Sequence, residues 1–525
     1  MRISIAKGSD LFGILQKQNI HLSAFCGGKE KCGKCKVRVV SMTTARGVGR
    51  GADFPVMEVE RRFLTERELA AGVRLACCHK CCEADVVVEV ADESAGFAIL
   101  GSEQEQYETS QVEDGVGIAV DIGTTTLAMA VIDLRDGRCL SETKVMNPQR
   151  VYGADVINRI QACNDHGVAV LQKMVLREVE QVVHQVLSTG QTIRRMVVCG
   201  NSTMEHIFLG IEPRKISEYP YTCEFEETQV IASRQLFGKW EIEADDICTT
   251  DRMDMADFPV IVLPNIAAFV GGDIVAGLIG TEMDHRDNQL LIDLGTNGEM
   301  ALSHGGKIYT TSTAAGPAFE GGNMLCGVAS IPGAICRIQM DGDDVQYQTI
   351  GASMEDAGSN NQSGQRIIHP IGICGSGYIE GISEILTQGL MDETGYMEQD
   401  VEIEGDIRIV PADIRNFQLA KSAVRSGINI LCRRAGISFG EIQQIYISGG
   451  FGKASNLAAL ANLKIIPKEF VAKTRLLGNT ALEGAIRVLL DNDMDRLSAV
   501  KAKRCNVDLA SDPRFNDEYM ENMWF

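Results

Sequence analysis

Three cysteines stand close together in the segment Cys26-Gly27-Gly28-Lys29-Glu30-Lys31-Cys32-Gly33-Lys34-Cys35, a C-x5-C-x2-C spacing. Clustered thiolates are soft ligands, suited to an iron–sulfur cluster or to zinc. The glycines between them let backbone N–H groups turn inward, where the sulfurs of a cluster need donors. Cys77 completes a four-cysteine set with 41 residues between it and Cys35, and Cys78, Cys81 and Cys82 compete for the same place. An all-cysteine zinc site would pair Cys32-x2-Cys35 with Cys78-x2-Cys81. That arrangement leaves Cys26 without a role, whereas a 2Fe–2S cluster uses it and accounts for the glycine-rich loop.

A second chemistry is written twice. Asp121-Ile122-Gly123-Thr124-Thr125-Thr126 and Asp293-Leu294-Gly295-Thr296-Asn297-Gly298-Glu299 both read D-x-G-T at the end of an apolar run. Glycine at such a bend lets the backbone approach a phosphate, and exposed N–H groups bind its oxygens. Threonine adds a hydroxyl donor. Asp121 and Asp293 are the candidate catalytic carboxylates, hard oxygen ligands for Mg²⁺ or a metal-bound water. One such hairpin alone is weak evidence, since an ordinary tight turn accounts for it. Two facing ones could clamp a triphosphate and its metal. A third element, Ser448-Gly449-Gly450-Phe451-Gly452, offers bare backbone to a base or ribose. Alone it is a plain strand-to-helix turn; beside the hairpins it reads as part of a nucleotide site. No P-loop and no strand-borne G-x-G-x-x-G is present.

Regular elements must hold these residues. Strands at Met1 to Ala6, Lys36 to Ser41 and Asp85 to Val90, with a helical piece around Glu60 to Leu69, frame the cysteines as a module over 1–92. Residues 93–115 are acidic and polar and read as a linker. From Val116 the pattern is strand, D-x-G-T bend, strand, turn at Asp136-Gly137, strand, then helices and the strand Arg195 to Cys199. Gln289 opens the same series. This predicts two ribonuclease-H-like units, the first over 116–205 as a middle domain and the second within 206–525. Before Ser448 an amphipathic helix is expected, with Ala420, Ala423, Val424, Ile428 and Leu431 on one face. The fold class is therefore multidomain, α+β and α/β: a ferredoxin-like β-grasp domain, then duplicated ATPase units of the actin, sugar kinase and heat-shock chaperone type.

Composition bounds the partners. Acidic residues outnumber basic ones 71 to 50, a formal charge of −21. Such a chain repels nucleic acid and anionic membranes. With 45% hydrophobic and 23% charged residues it is a globular chain rather than a disordered one. The most lipid-like stretch, Phe258 to Gly280, is broken by Pro259, Pro264, Asn265, Gly271, Gly272 and Asp273, so it reads as strand, turn and buried helix. The N-terminus carries no signal-peptide pattern, and the expected location is the cytoplasm. Seven of the 17 cysteines fall within 26–82; scattered ones such as Cys163, Cys199, Cys248, Cys336 and Cys505 are expected as buried small hydrophobes.

A three-cysteine loop with one distant cysteine is similar to plant-type ferredoxins, and the first gap of five resembles the adrenodoxin-like branch. The joining of such a domain to an ATPase core resembles the reductive activators of corrinoid-dependent methyltransferases. The resemblance covers nearly the whole chain: CGGKEKCGKC at 26–35, RLAC at 74–77, DIGTTT at 121–126, NPQRVYGADVINRI at 147–160, GNSTMEH at 200–206, FVGGDIVAG at 269–277, DLGTNGEM at 293–300, AAGPAFEGG at 314–322, CGSG at 374–377, QLAK at 418–421 and SGGFG at 448–452. It implies that Cys26, Cys32, Cys35 and Cys77 hold a 2Fe–2S cluster, since Arg-Leu-Ala-Cys resembles the approach of ferredoxin-like domains to their last ligand. It implies a first phosphate element of Asp121, Gly123, Thr124 and Thr125, and a second of Asp293, Gly295, Thr296 and Asn297. Gly449, Gly450 and Gly452 would be the adenosine element.

The implied cofactors are the cluster, ATP and Mg²⁺. The implied partners are a corrinoid protein, an upstream reductant (a ferredoxin, flavodoxin or reductase) and a second copy in a homodimer. The implied activity uses ATP to pass an electron from the cluster to Co(II), regenerating Co(I). The competing functions are an ATP-coupled donor to a dehydratase or other metalloenzyme, and a redox-sensing small-molecule kinase. Glu30 departs from the family's usual glycine, and four crowded cysteines replace a single last ligand. Lys29, Lys31, Lys34 and Lys36 are either a basic docking face or solvated lysines.

Overall fold

The structure, a computed structural model, describes residues 2–17, 22, 28–30, 33, 35–44, 47–82, 84–90, 106–109, 112–153, 155–238, 257–342, 344–351, 369–449 and 456–525. The chain divides into two compact units, one of residues 1–98, 124–126 and 145–175, the other of 99–123, 127–144 and 176–525.

In the first unit, strands β1 (Arg2–Ile5), β2 (Lys36–Thr44), β3 (Gly47–Arg50), β4 (Val73–Leu75) and β5 (Asp85–Glu89) form a sheet ordered β1-β5-β2-β3, with β4 also on β2. Alternation explains the burial: Ile3, Ile5, Val37, Val39, Val86 and Val88 point to one face. Leu11 and Leu15 from the helix Leu11–Lys17 cover that face. The strands expected from the sequence are all present.

In the second unit the expected repeat is a repeat of topology. The first sheet contains β6 (Val116–Ile122), β7 (Thr126–Asp133), β8 (Cys139–Met146), β9 (Ile193–Gly200), β10 (Gln229–Ala232) and β11 (Pro259–Val262), ordered β10-β11-β9-β6-β7-β8. The second contains β12 (Gln289–Leu294), β13 (Gly298–His304) and β14 (Lys307–Thr313). An insertion follows, with β15 (Ala334–Asp341), β16 (Asp344–Thr349) and β17 (Gly372–Ile373) in one small sheet and β18 (Val401–Glu404) and β19 (Ile407–Ile409) in another. Then β20 (Gln444–Gly449), β21 (Thr474–Leu476) and β22 (Arg504–Asn506) complete the order β21-β20-β12-β13-β14-β22. In both sheets a central strand opens an antiparallel three-strand meander on one side and takes two parallel neighbours on the other.

The first sheet extends past the boundary expected after residue 205. Val260 to Val262 pair in parallel with Met196 to Val198, and β10 pairs with β11. The backbone of β9 needs a partner on its free edge, and β11 supplies it from later in the chain. The first of the two repeated sheets therefore draws on strands as far as residue 262.

The helices Gly272–Gly280 and Thr480–Asp491 pack against each other within one core that includes Ile132 and Val197 of the first sheet and Leu291 and Ala301 of the second. Among the described residues no helix is long and apolar enough to cross a membrane. Phe258 to Gly280 is a strand, a turn and a buried helix, as its prolines and glycines predict. Cys163 and Cys199 are buried as expected, but Cys336 and Cys505 are only half-buried; Cys248 lies outside the described residues. So does most of the expected linker.

Candidate functional site

Two strands set the cysteine corner. Lys36 at the start of β2 faces Leu75 at the end of β4 in an antiparallel register, so Cys35 and Ala76 meet just beyond the ladder, where Ala76 N donates to Cys35 O at 2.9 Å. This brings the Cys35 and Cys77 sulfurs to 3.2 Å, both buried. Metal–thiolate bonds of about 2.3 Å to a shared ion span such a gap. Cys26 and Cys32 lie outside the described residues.

Of the competing thiols, Cys78 is half-buried beside Cys77. Burial, then the neighbouring Cys77, push it up to about 12. Cys81 is exposed, and Cys82 sits in the core with its N–H donated to Ser9 O.

The approach to Cys77 is fixed by Arg74 and Glu60, both fully buried. The Arg74 guanidinium donates to the carbonyls of Ala52, Phe54, Pro55, Leu69 and Val73, tying two loops to β4. Burial alone would raise the Glu60 carboxyl. Hydrogen bonds with His79 (3.1 Å), Leu75 N (2.6 Å) and Met57 N (2.7 Å) outweigh it and hold the group below the usual range. The arginine of Arg-Leu-Ala-Cys is thus a scaffold rather than a ligand. Of the candidate docking lysines, Lys36 is paired with Glu68 at 2.6 Å and Lys29 donates to Asn158 at 2.9 Å. Lys31 and Lys34 lie outside the described residues.

The second site lies at the carboxyl ends of the central strands, where open sheets bind ligands. Asp121 ends β6 and Asp293 ends β12, each with its D-x-G-T bend following. The registers make them equivalent: Asp121 faces Cys199 and Ala128, while Asp293 faces Ser448 and Glu299. Gly200 and Gly449 close the parallel neighbours. A Cβ on Gly449, whose φ is +110°, would meet Leu294 O at 2.2 Å, so only glycine brings β20 this close. Gly200 has the same role against Ile122 O.

A helix N-terminus reaches one of these strand ends. Asn479 Nδ2, from the cap of the Thr480 helix, donates to Asp121 Oδ2 at 2.5 Å. Asp273, in the first turn of the Gly272 helix, feels the charge of both Asp293 and Asp121. Ser448 Oγ donates to Asp293 Oδ2 at 2.7 Å, and Thr296 Oγ1 to Glu320 Oε2 at 3.0 Å.

Burial, with Asp293 as neighbour, pushes Asp121 up to about 7 against the pull of Asn479 and Lys144. Burial, then Asp293 and Asp121, push Asp273 up to about 7. Asp293 is raised by burial, and Glu205 and Glu299 are raised well above the carboxylate range by burial and by Asp273.

This donor set fits Mg²⁺. Hard oxygens surround a region of negative potential, which a divalent cation relieves. Among the described residues no three such side chains converge closely enough to ligate an ion alone. That suits a metal held by one or two carboxylates with phosphate and water filling its shell. At Gly295 a Cβ would meet nothing nearer than Asn297 O at 3.7 Å, so the bend is open where a phosphate would approach. Gly123, Thr124, Thr125, Gly295, Thr296, Asn297 and Gly449 occupy the bends expected of them; Gly450 and Gly452 lie outside the described residues. Glu205, Asp273, Glu299, Ser448, Glu320 and Asn479 were not assigned roles from the sequence. All but Asn479 sit inside the motifs GNSTMEH, FVGGDIVAG, DLGTNGEM, AAGPAFEGG and SGGFG, which is the available signal.

Residues 2–82 match the 2Fe-2S iron-sulfur cluster binding domain, residues 116–286 the RACo middle region, and residues 287–525 the C-terminal domain of RACo, the ASKHA domain. The chain belongs to the RACo family. A corrinoid activation enzyme, RamQ, of Eubacterium limosum is 29% identical over 446 residues, covering 78% of this chain and 70% of that one. A [Co(II) methylated amine-specific corrinoid protein] reductase of Methanosarcina barkeri is 26% identical over 422 residues, covering 77% and 76%. The solved structure of a reductive activator for corrinoid, iron-sulfur protein superposes with a TM-score of 0.66 at 25% identity, covering 100% of this chain and 96% of that one. As a RACo-family chain, this protein joins an iron–sulfur domain to an ASKHA ATPase; the first of the repeated sheets lies in the middle region and the second in the ASKHA domain.

Proposed function

We propose that the protein reactivates a corrinoid protein at the expense of ATP, passing an electron from its 2Fe–2S centre to Co(II) and regenerating Co(I) for methyl transfer. The observation that carries this reading is the presence in one chain of a two-sulfur corner at Cys35 and Cys77 and a duplicated sheet with Asp121 and Asp293 at equivalent strand ends. Relatives named for corrinoid activation and for reduction of a Co(II) corrinoid protein support it. When bound, the cluster supplies a one-electron donor near about −400 mV.

Cys26, Cys32, Cys35 and Cys77 hold the cluster, and Arg74 and Glu60 keep the last of these in place. The bends at Gly123–Thr125 and Gly295–Asn297 bind phosphate oxygens. Asp121 and Asp293 hold Mg²⁺ and its waters on oxygen, and Gly449, Gly450 and Gly452 lie along the adenosine. Nucleotide drives the uphill transfer only through its preference for one arrangement of the two halves. Closure of the cleft then alters the docked corrinoid partner, removing a cobalt ligand so that the electron passes. A ferredoxin, flavodoxin or reductase restores the electron, and the protein acts in the cytoplasm as a homodimer.

The test mixes anaerobically reduced protein with a Co(II) corrinoid protein, with and without Mg·ATP, and follows the Co(I) absorption. An ATP-dependent Co(I) band is expected. An intact cluster and ATPase activity with no band would move the reading to another low-potential acceptor, such as a dehydratase. A phosphorylated small-molecule product would make the chain a kinase.

A further inference from the structure

The helix Val156–His166 grips the first hairpin with one residue and the cysteine loop with the residue before it. Arg159 is fully buried. Its guanidinium donates to the Thr124 carbonyl, to Gln149 Oε1 (3.2 Å) and to Gly153 O (3.1 Å). Asn147 N donates to the next carbonyl of the hairpin, Thr125 O, at 2.8 Å. Both carbonyls at the bend are therefore tied to the 147–159 segment. Asn158 serves the other end. Its Nδ2 donates to Asp155 Oδ2 at 2.6 Å, which leaves Oδ1 to accept, and Lys29 Nζ donates to it at 2.9 Å. Lys29 lies within the cysteine loop, whose Gly28 rests on Phe12 so closely that a Cβ would meet the ring at 2.7 Å. A cleft of about 170 Å³ is lined by Lys29 and Asn158 together with Cys77, Tyr152 and His166.

We infer that Asn158 and Arg159 are a positioning pair that couples nucleotide at the Thr124 hairpin to the cysteine loop at Lys29. A phosphate drawn onto the bend moves its backbone, and the Thr124 carbonyl carries that movement to Arg159. Adjacent residues of one packed helical turn shift together, so Asn158 carries it to Lys29 beside the cluster ligands. The inference rests on the proposed reading of both sites and adds the residues that join them. Coupling of this kind is a free energy and is reciprocal: if nucleotide acts on the cluster loop, the redox state of the cluster acts on nucleotide affinity by the same factor.

The test measures the affinity of the cluster-loaded full chain for Mg·AMPPNP, oxidised and dithionite-reduced, in the wild type, Asn158→Ala, Lys29→Met and the double variant. The wild type is expected to show a ratio of about fivefold or more between redox states, falling below about twofold in each single variant and no further in the double. A ratio near one in the wild type overturns the inference. So does a wild-type ratio retained in the single variants. Lys29 is exposed and caps no helix, so Lys29→Met decides the matter if Asn158→Ala folds poorly. A wild type that shows no cluster absorption or no nucleotide binding would instead sink the underlying reading.

Discussion

Lys421 is wholly buried in the helix Pro411–Ala435, and its ammonium donates to the carbonyls of Asn522 (2.8 Å) and Trp524 (2.6 Å). Gln418 donates to Met523 O and Ser422 to Tyr519 O, so the Gln-Leu-Ala-Lys segment clamps residues 519–524 along the helix. Nothing in the sequence motif alone distinguishes this from a catalytic lysine. Burial, then the like charges of Lys464 and Arg425, bring Lys421 down to about 7. Between that value and the ordinary 10.5 the unfolded chain binds the extra proton, so stability rises with pH across this window, by at most about 1.4 kcal/mol per unit. Unfolding of wild type and Lys421→Met compared at pH 7, 8 and 9 should show the wild type gaining on the variant at each step. Parallel curves would mean the ammonium is not desolvated. Asp121 and Asp293 stood out at this scale because the acid-x-Gly-Thr pattern occurs twice, each time at the end of an apolar run. Glu205 and Asp273 did not, because a helix-borne acid does not declare in the sequence which distant residues it faces.

The helices Gly272–Gly280 and Thr480–Asp491 each begin with a polar first turn or cap, and both depend on a close crossing. A Cβ on Gly484 would meet Ala276 O at 1.8 Å, and Gly280 lies against the Gly484 backbone. Gly484→Ala must push the helices apart, withdrawing Asn479 from Asp121. The cost should exceed the roughly 1–3 kcal/mol of ordinary overpacking, with a thermal midpoint lower by about 5 °C or more. Mg·ATP affinity should fall at least about tenfold, the equivalent of about 1.4 kcal/mol. Gly440→Ala is the control, since a Cβ there meets nothing closer than 4.0 Å. Equal affinity in the two variants would show that the crossing does not set the cleft. The hairpins of both halves were legible because each carries its own strand, bend and turn pattern. The full extent of the first sheet was not. Pro259–Val262 has only four residues, and its pairing with β9 is settled by a partner some sixty residues away in the chain rather than by local pattern.

At the scale of the whole molecule, two chemistries are built from separate parts of the chain. The sulfur corner depends on the register of β2 with β4 and on Arg74 and Glu60. The acid cleft depends on the ends of β6 and β12 and on the Gly272 and Thr480 helices. The cysteine spacing and the repeated D-x-G-T made both modules legible in the sequence. The segment 147–159 was visible only as a motif, because its partners, the carbonyls of Thr124 and Thr125 and the Lys29 ammonium, are far from it in sequence. Separate construction predicts complementary losses. Asp293→Asn keeps the size of the side chain but removes a charge from the cleft, so Mg·ATP affinity should fall by about tenfold or more while the visible spectrum of the cluster stays unchanged. Cys77→Ser replaces a soft ligand with a hard one and should abolish or strongly alter that spectrum, leaving Mg·ATP affinity within a few-fold of the oxidised wild type. Loss of the cluster in Asp293→Asn, or loss of nucleotide binding in Cys77→Ser, would mean that the two sites share structural support beyond the Lys29–Asn158 and Arg159–Thr124 hydrogen bonds.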